Sequence, residues 1–314
     1  MWRIFGKRKK LRKPILVPDC HEDGLEMTVI ADLLTPIVMG ILLGGLYAVI
    51  ALGLSLIFGV VKEINIAHGD LVILGSYFGY VSMTVIGIDP ILSLVIGMPL
   101  LFGIGFAIQK YLLNRAFRIS MDATLIIAFG ISIILQNIYQ LIWSPLSRGL
   151  TTNYSLERFS IGPMGFPLMY LLDFIVAIIV MIILREFLRR TYLGMAIRAA
   201  AQDWRAAHLM GINTNQVFAF TFGIATALAA IAGVFLGLTF PFTPVSGTPF
   251  LIIALGVVVL GGLGSIAGTF IGGIAFGLAQ TLGGHFFGLA AQMLVAYTMV
   301  LVVLAVIPRG IFGR

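Results

Sequence analysis

The chain of 314 residues is 60% hydrophobic and only 11% charged, with a formal net charge of +7. A soluble domain carries about 25% charged residues and exposes a large area at this length, so a water-soluble enzyme is excluded. Cys20 is the single cysteine, which leaves no intramolecular disulfide and no cysteine-based metal site, and the apolar runs are too continuous for the alternating strands of a membrane barrel.

In chain order, the first thirteen residues hold seven Lys and Arg. Residues 1–26 read either as a cytoplasmic basic tail or as an extension ahead of a true start at Met27. Residues 27–314 then form one transmembrane domain. A bilayer core takes about 20 apolar residues as helix. Runs of that kind stand at 37–61, 71–88, 90–108, 123–143, 167–184, 217–240, 266–284 and 289–307, with a shorter one at 250–262. The expected fold is all-α, a polytopic membrane helical bundle of about 8–9 segments with broken or short helices. Ten Lys and Arg lie in the loops 109–122 and 185–216 and at the C-terminus; the opposite loops hold only Arg148 and Arg158. This bias puts the first set, including the C-terminus, in the cytoplasm. Nine segments then start the first helix outside. That conflicts with a cytoplasmic basic tail unless Met27 is the start or the break at 62–70 changes the parity.

Two breaks interrupt the apolar pattern, at 62–70 and at 260–265. Short or interrupted segments in two halves of a transporter point to the pathway. The first break holds Asn65, His68, Gly69 and Asp70. A charge at helix-centre depth costs about 2.5–3.5 kcal/mol, so such groups face the bundle interior, a water-filled cavity or the interface. For Asp70 the simpler role is to cap a helix starting at Leu71. For His68 it is a plain hydrogen bond, against titration near neutral pH. Gln136, Asn137, Gln140, Gln280 and Gln292 are further polar side chains inside apolar runs, each able to bond a neighbouring helix. Gly264, Gly268 and Gly272 form a GxxxGxxxG row, with Gly273 and Gly277 continuing the face and Gly40/Gly44 and Gly233/Gly237 as further pairs, so tight helix packing is expected. The run GGLGSIAGTFIGG lacks the Lys-Ser/Thr of a phosphate loop. No cluster at ligand spacing points to a metal, and no cofactor is expected.

The loop 185–216 is the most charged part of the domain. Ala196, Ala199, Ala200, Ala206 and Ala207 favour helix, and Gly211 is placed to end it. Arg198, Asp203 and Arg205 give it a charged face. Such a helix either docks in a groove on a soluble partner or lies on lipid headgroups.

Three blocks together carry a resemblance: GLYAVIALGLSLIFGVVKEINIAHGDLVILGSY, LGMAIRAAAQDWRAAHLMGINTNQV and VVLGGLGSIAGTFIGGIAFGLAQTL. They are similar to hallmark segments of branched-chain amino-acid ABC importer permeases, the LivH-like group in particular, over roughly residues 27–314. The resemblance implies a subunit of the cytoplasmic (inner) membrane that moves Leu, Ile and Val by alternating access. It implies a LivM-like second permease, two LivG/LivF-like cytoplasmic ATPases and an extracytoplasmic binding protein as partners. It makes 185–216 a coupling loop, whose AAxxxG core stands as Ala206, Ala207 and Gly211, flanked by Arg198, Asp203, Arg205 and Ile212. The usual Glu before the Ala pair is Arg205 here, and a later Ile-x-Leu-Pro is absent. Asn65, His68, Gly69 and Asp70 are a family-typical block and, with Gln136 and Asn137, the candidate translocation path.

Without a Walker motif, ATP hydrolysis is expected in partner subunits and no catalytic site in this chain. Import of urea, amides or other amino acids by the same mechanism is the alternative. An ion-coupled secondary transporter fits less well, since only Asp70 and Asp173 offer intramembrane carboxylates. An intramembrane enzyme lacks a nucleophile, base and orienter set. The positive balance is a topology signal among lipids rather than a nucleic-acid footprint.

Overall fold

The computed structural model describes residues 22–117, 119–161, 164–307 and 310–313. The basic tail at 1–21 and Arg118, Arg309 and Arg314 of the charge count lie outside the described residues. The chain runs α1 (Glu22–Val61), α2 (His68–Val81, continued by a π turn Ser82–Ile86), α3 (Pro90–Ala107), a π turn (Ile108–Leu113), α4 (Asn114–Phe117) and α5 (Met121–Trp143). A hairpin of β1 (Arg158–Ile161) and β2 (Met164–Pro167) leads to α6 (Leu168–Arg190), α7 (Tyr192–Gln202) and α8 (Trp204–Leu209). Then come α9 (Thr214–Thr239), α10 (Gly247–Gly261), α11 (Ile266–Phe287) and α12 (Gln292–Val306). Eight helices among the described residues are long and apolar enough to cross a membrane, and α10, at 15 residues, is shorter. The chain is a multi-pass membrane protein built as a helical bundle, with the antiparallel β1–β2 hairpin the only sheet among the described residues.

The core forms around α1 and α9. α1 packs on α11, α6, α9 and α10, while α9 packs on α3, α2 and α1. Lipid offers no hydrophobic drive to bring helices together, so close approach rests on small residues. Gly40 lies against Leu278 and Thr281, Gly44 against Gly273 and Ile274, and Gly59 against Gly264, which makes α1 and α11 antiparallel. The expected GxxxGxxxG row divides between two neighbouring helices. Gly268 and Gly272 face Gly261 of α10, whereas Gly273 and Gly277 face Gly44 and Gly40 of α1. Gly264 is not on the helix: it precedes α11 at φ 81° and, with Gly262 at φ 96°, turns the chain between α10 and α11. Both φ values are in the left-handed region that suits glycine.

Two helices begin part-way along the bundle. His68 opens α2, yet its ring contacts Gly53 and its Nε2 bonds the Ile50 carbonyl of α1. Ile50 is eleven residues short of the α1 terminus at Val61, a rise of about 16 Å. The segment 62–67 therefore climbs back beside α1 before α2 starts. Gly247 opens α10 against Gly69 and Asp70, so α10 starts at the same depth. α2 continues alongside α9, with Gly75 on Ala230 and the Ser76 hydroxyl bonded to the Gly233 carbonyl at 2.6 Å. α10 continues along α11 toward the basic end of the bundle, which carries Arg189 and Arg190. The later break thus differs from the expected 260–265: the deep interruption is 240–246, and 260–265 is a turn at a helix end.

Candidate functional site

The climbing segment ends in an Asx turn. Asn65 Oδ1 accepts from the Ala67 amide at 3.1 Å, and the His68 amide bonds the Asn65 carbonyl at 3.2 Å. The turn fixes where α2 starts. His68 is fully buried. Its Nε2 lies 2.9 Å from the Ile50 carbonyl; a carbonyl only accepts, so Nε2 carries the proton. The imidazole thus acts as a strut between α1 and α2.

Asp70 is buried, and it does not cap the helix. The N-cap of α2 is Ala67, without a side-chain bond, and Asp70 lies in the first turn. Its carboxyl is held from α5. Ser132 Oγ donates to Oδ2 at 2.5 Å, Gln136 Nε2 donates to Oδ1 at 3.1 Å, and Tyr139 OH donates to the Asp70 carbonyl at 3.0 Å. Gln136 Nε2 also lies 3.4 Å from Thr248 Oγ1 on α10. Glycine permits this convergence. A Cβ on Gly69 would strike the Gly247 backbone, and one on Gly247 would strike the Asp70 carboxyl. Three helices, two of them at their positive N-terminal ends, meet on one polar cluster.

Gln136 joins this cluster and Asn137 does not. Asn137 is exposed and donates to the Ile133 carbonyl of its own helix at 2.7 Å. Ser132, Tyr139 and Thr248 were not singled out in the sequence. Ser132, Gln136 and Tyr139 stand at i, i+4 and i+7, one face of a helix, a spacing readable in advance. Thr248 carries no such signal.

Toward the end away from the basic one, aromatic rings close over the cluster. Tyr77 stacks on Trp143 at 4.4 Å and meets Phe242 edge-on at 5.0 Å. Arg148 ties this layer down. Its Nη1 donates to Tyr80 OH at 2.5 Å and Nη2 to the Trp143 carbonyl at 2.7 Å, while its backbone pairs with Phe242. By sequence Arg148 is only a charge in a loop. Asp173 is buried too, with Oδ2 accepting from Thr239 at 2.9 Å.

Toward the basic end, Glu63 sits between α1 and α2 and is 7% exposed. Burial pushes its pKa from 4.5 up to about 7, and the nearby Thr124 hydroxyl offsets only part of that rise. A raised carboxyl pKa supports the folded state below the unfolded value and withdraws that support as pH climbs through the folded value. Stability is therefore expected to fall as pH rises from 4.5 through about 7, and Glu63→Gln is expected to flatten that slope. Melting temperatures in nanodiscs across this range check it; equal slopes in the two proteins would refute the assignment.

At the basic end itself, the expected single helix is two. Asp203 breaks it and caps the second half, its Oδ1 accepting from the Arg205 and Ala206 amides at 2.8 and 3.1 Å. Gly211 ends α8 at φ 87°, as its position implied. Arg198 is exposed, with Nη2 3.4 Å from the Arg189 carbonyl. Arg205 stacks over Trp204 at 5.2 Å. Ala206 is exposed, Ala207 is buried and Ile212 is half-buried against the core. Leu209 and Met210, not singled out in the sequence, are 86% and 84% exposed. The pair α7–α8 thus presents Arg205, Leu209 and Met210 outward.

The family model described as branched-chain amino acid transport system / permease component matches residues 37–304. The high-affinity branched-chain amino acid transport system permease protein BraD of Pseudomonas aeruginosa is 34% identical over 309 residues, covering 92% of this chain and 98% of its own. LivH of Escherichia coli, of the same description, is 33% identical over 291 residues, covering 88% and 94%. The ribose import permease protein RbsC of Escherichia coli is 26% identical over 274 residues, covering 83% and 81%. The match runs through all eight long helices and both broken-helix starts, so the chain belongs to the branched-chain amino acid transport permease family.

Proposed function

We propose that this chain is the LivH-like membrane subunit of an ATP-driven importer for leucine, isoleucine and valine. The observation that carries this reading is the buried junction at Asp70, where α2 and α10 both start inside the bundle. Polar groups at such depth are costly and mark pathways, and paired helix starts near the midplane are a transporter device. Asn65 and His68 set the start of α2, Gly69 allows the approach, and Asp70, Ser132, Gln136 and Thr248 form the path's polar wall. Asn137, one position along α5, faces outward and stands apart from that wall. Residues 27–314 are the permease domain, and residues 1–26 are an extension to it.

In this reading the basic end faces the cytoplasm of a cell whose inner membrane holds the protein. Arg198, Asp203, Arg205, Ala206, Ala207, Gly211 and Ile212 shape the segment that meets two LivG/LivF-like ATPases, which hydrolyse ATP in place of this chain. An extracytoplasmic binding protein delivers substrate at the other end. The likeness to a ribose permease favours a second reading on cargo alone: the same frame carries another small solute, and the binding protein selects it.

Membranes or vesicles containing all partners test the proposal. Uptake of labelled leucine is expected to need ATP and to survive collapse of ion gradients. Gly211→Asp or Arg205→Asp is expected to cut uptake at least about tenfold, a loss of about 1.4 kcal/mol of coupling, with the permease still in the membrane. Unchanged uptake in both variants would remove the coupling assignment; ATP-independent uptake would remove the importer reading.

A further inference from the structure

Phe102, Phe106 and Lys110 recur four residues apart from α3 into its π turn and share one stripe. The Phe106 ring is 6.2 Å from Phe102 and 5.1 Å from Phe220 of α9, and Lys110 Nζ lies 5.5 Å from the Phe106 ring. At one end of the stripe a cavity of about 430 Å³ opens between α3, α6 and α9, lined only by apolar side chains, among them Phe102, Ile183, Phe220 and Ile224. At the other end a cavity of about 290 Å³ is lined by Lys110, Asn114, Arg115, Asn213, Asn215 and Gln216. The polar wall is fixed in place: Asn114 Nδ2 donates to the Asn215 carbonyl at 3.0 Å, and its Oδ1 accepts from Gln109 at 3.0 Å. Neither cavity is lined by an acid, and among the described residues neither Lys110 nor Arg115 has an acidic partner. The start of α9 adds the positive end of its dipole.

The geometry points to a seat for one anionic diacyl phospholipid, its phosphate on Lys110 and Arg115 and one acyl chain along Phe106 and Phe220 into the apolar cleft. A zwitterionic lipid brings its own cation and leaves the two basic side chains without net compensation. A free phosphate uses none of the apolar cleft. Basic pockets between helices near a membrane surface take anionic headgroups for this reason. The apolar cavity is also lined by Leu193 of α7, so an occupying chain braces the helix pair α7–α8 from the membrane side. This inference does not depend on the cargo.

Native mass spectrometry of the full chain with its membrane partners tests it, using phosphatidylglycerol, phosphatidylcholine of equal chain length and inorganic phosphate as probes. The intact protein is expected to hold phosphatidylglycerol in preference to phosphatidylcholine. Each basic side chain near an anionic surface is worth about fivefold, so Lys110→Gln with Arg115→Gln is expected to weaken phosphatidylglycerol about 25-fold and leave phosphatidylcholine unchanged. Ile183→Trp, at an exposed position that tolerates size, is expected to weaken both lipids by narrowing the cleft. Equal retention of the two lipids by the unaltered protein, or full retention by the double variant, overturns the seat. So does displacement of the lipid by millimolar inorganic phosphate, or a photo-crosslink from position 183 to a protein chain in place of lipid.

Discussion

Asp70→Leu is expected to cut leucine uptake about thirtyfold without removing the protein from the membrane. The substitution keeps the approximate shape of the side chain and removes both accepting oxygens. Gln136 Nε2 and Ser132 Oγ both donate to Asp70, so both lose that acceptor. A buried polar group without its partner costs about 1–3 kcal/mol, and about 2 kcal/mol corresponds to about thirtyfold. Interhelical hydrogen bonds in membranes average about 0.6 kcal/mol, because the unfolded reference finds partners too. Stability is therefore expected to change less than uptake. That contrast is the useful readout: uptake rates and melting temperatures measured on the same preparation separate a pathway group from a packing group. Uptake within threefold of the unaltered protein would assign Asp70 to packing alone.

Gly277→Leu is expected to destabilise the bundle by at least about 3 kcal/mol, the upper range for forcing extra side-chain volume into a packed interior. A Cβ at Gly277 would meet the Gly40 carbonyl and the Gly44 backbone of α1. These are backbone atoms, so no rotamer change relieves the clash, and α1 must move off α11. The helix-propensity gain from replacing glycine, about 0.8–1 kcal/mol, is too small to compensate. Gly103→Leu on α3 is the matched control, since its Cβ meets nothing within 4 Å. Size-exclusion profiles and melting temperatures are expected to show loss of folded protein for the first change and little effect for the second. Equal behaviour would mean that the α1–α11 seam tolerates separation.

Much of the candidate site was readable in order along the chain, but not in space. Asn65, His68, Gly69 and Asp70 stood out because polar residues inside apolar runs are conspicuous. Their partners did not. Ser132 and Thr248 are small hydroxyl residues that membrane helices carry routinely, and only their meeting with Asp70 distinguishes them. The Asp70 cap failed as an expectation because the Asx turn at Asn65 starts α2 at His68, ahead of the point where hydropathy rises. Gln136 and Asn137 looked equivalent as neighbours. Their side chains point about 100° apart around the helix, and only one faces Asp70. The glycine row was correct as a signal for close packing and wrong as a single face, since Gly264 lies in the turn and the rest divide between α10 and α1.

The sequence by itself determined the solvent, the fold class, the helical segments, the basic end and the family. Each depends on composition, run length or local motif, and those are properties of a chain whatever its partners in space. Only the tertiary structure decided that α2 and α10 start at one depth, that the later interruption is 240–246, and that α5 supplies the groups that hold Asp70. The physical reason lies in the bilayer. Backbone groups exposed to lipid must find partners, so a helix can begin inside the bundle only where another segment covers its start. Which segment does so is set by contacts between residues more than sixty positions apart, and no local pattern encodes them.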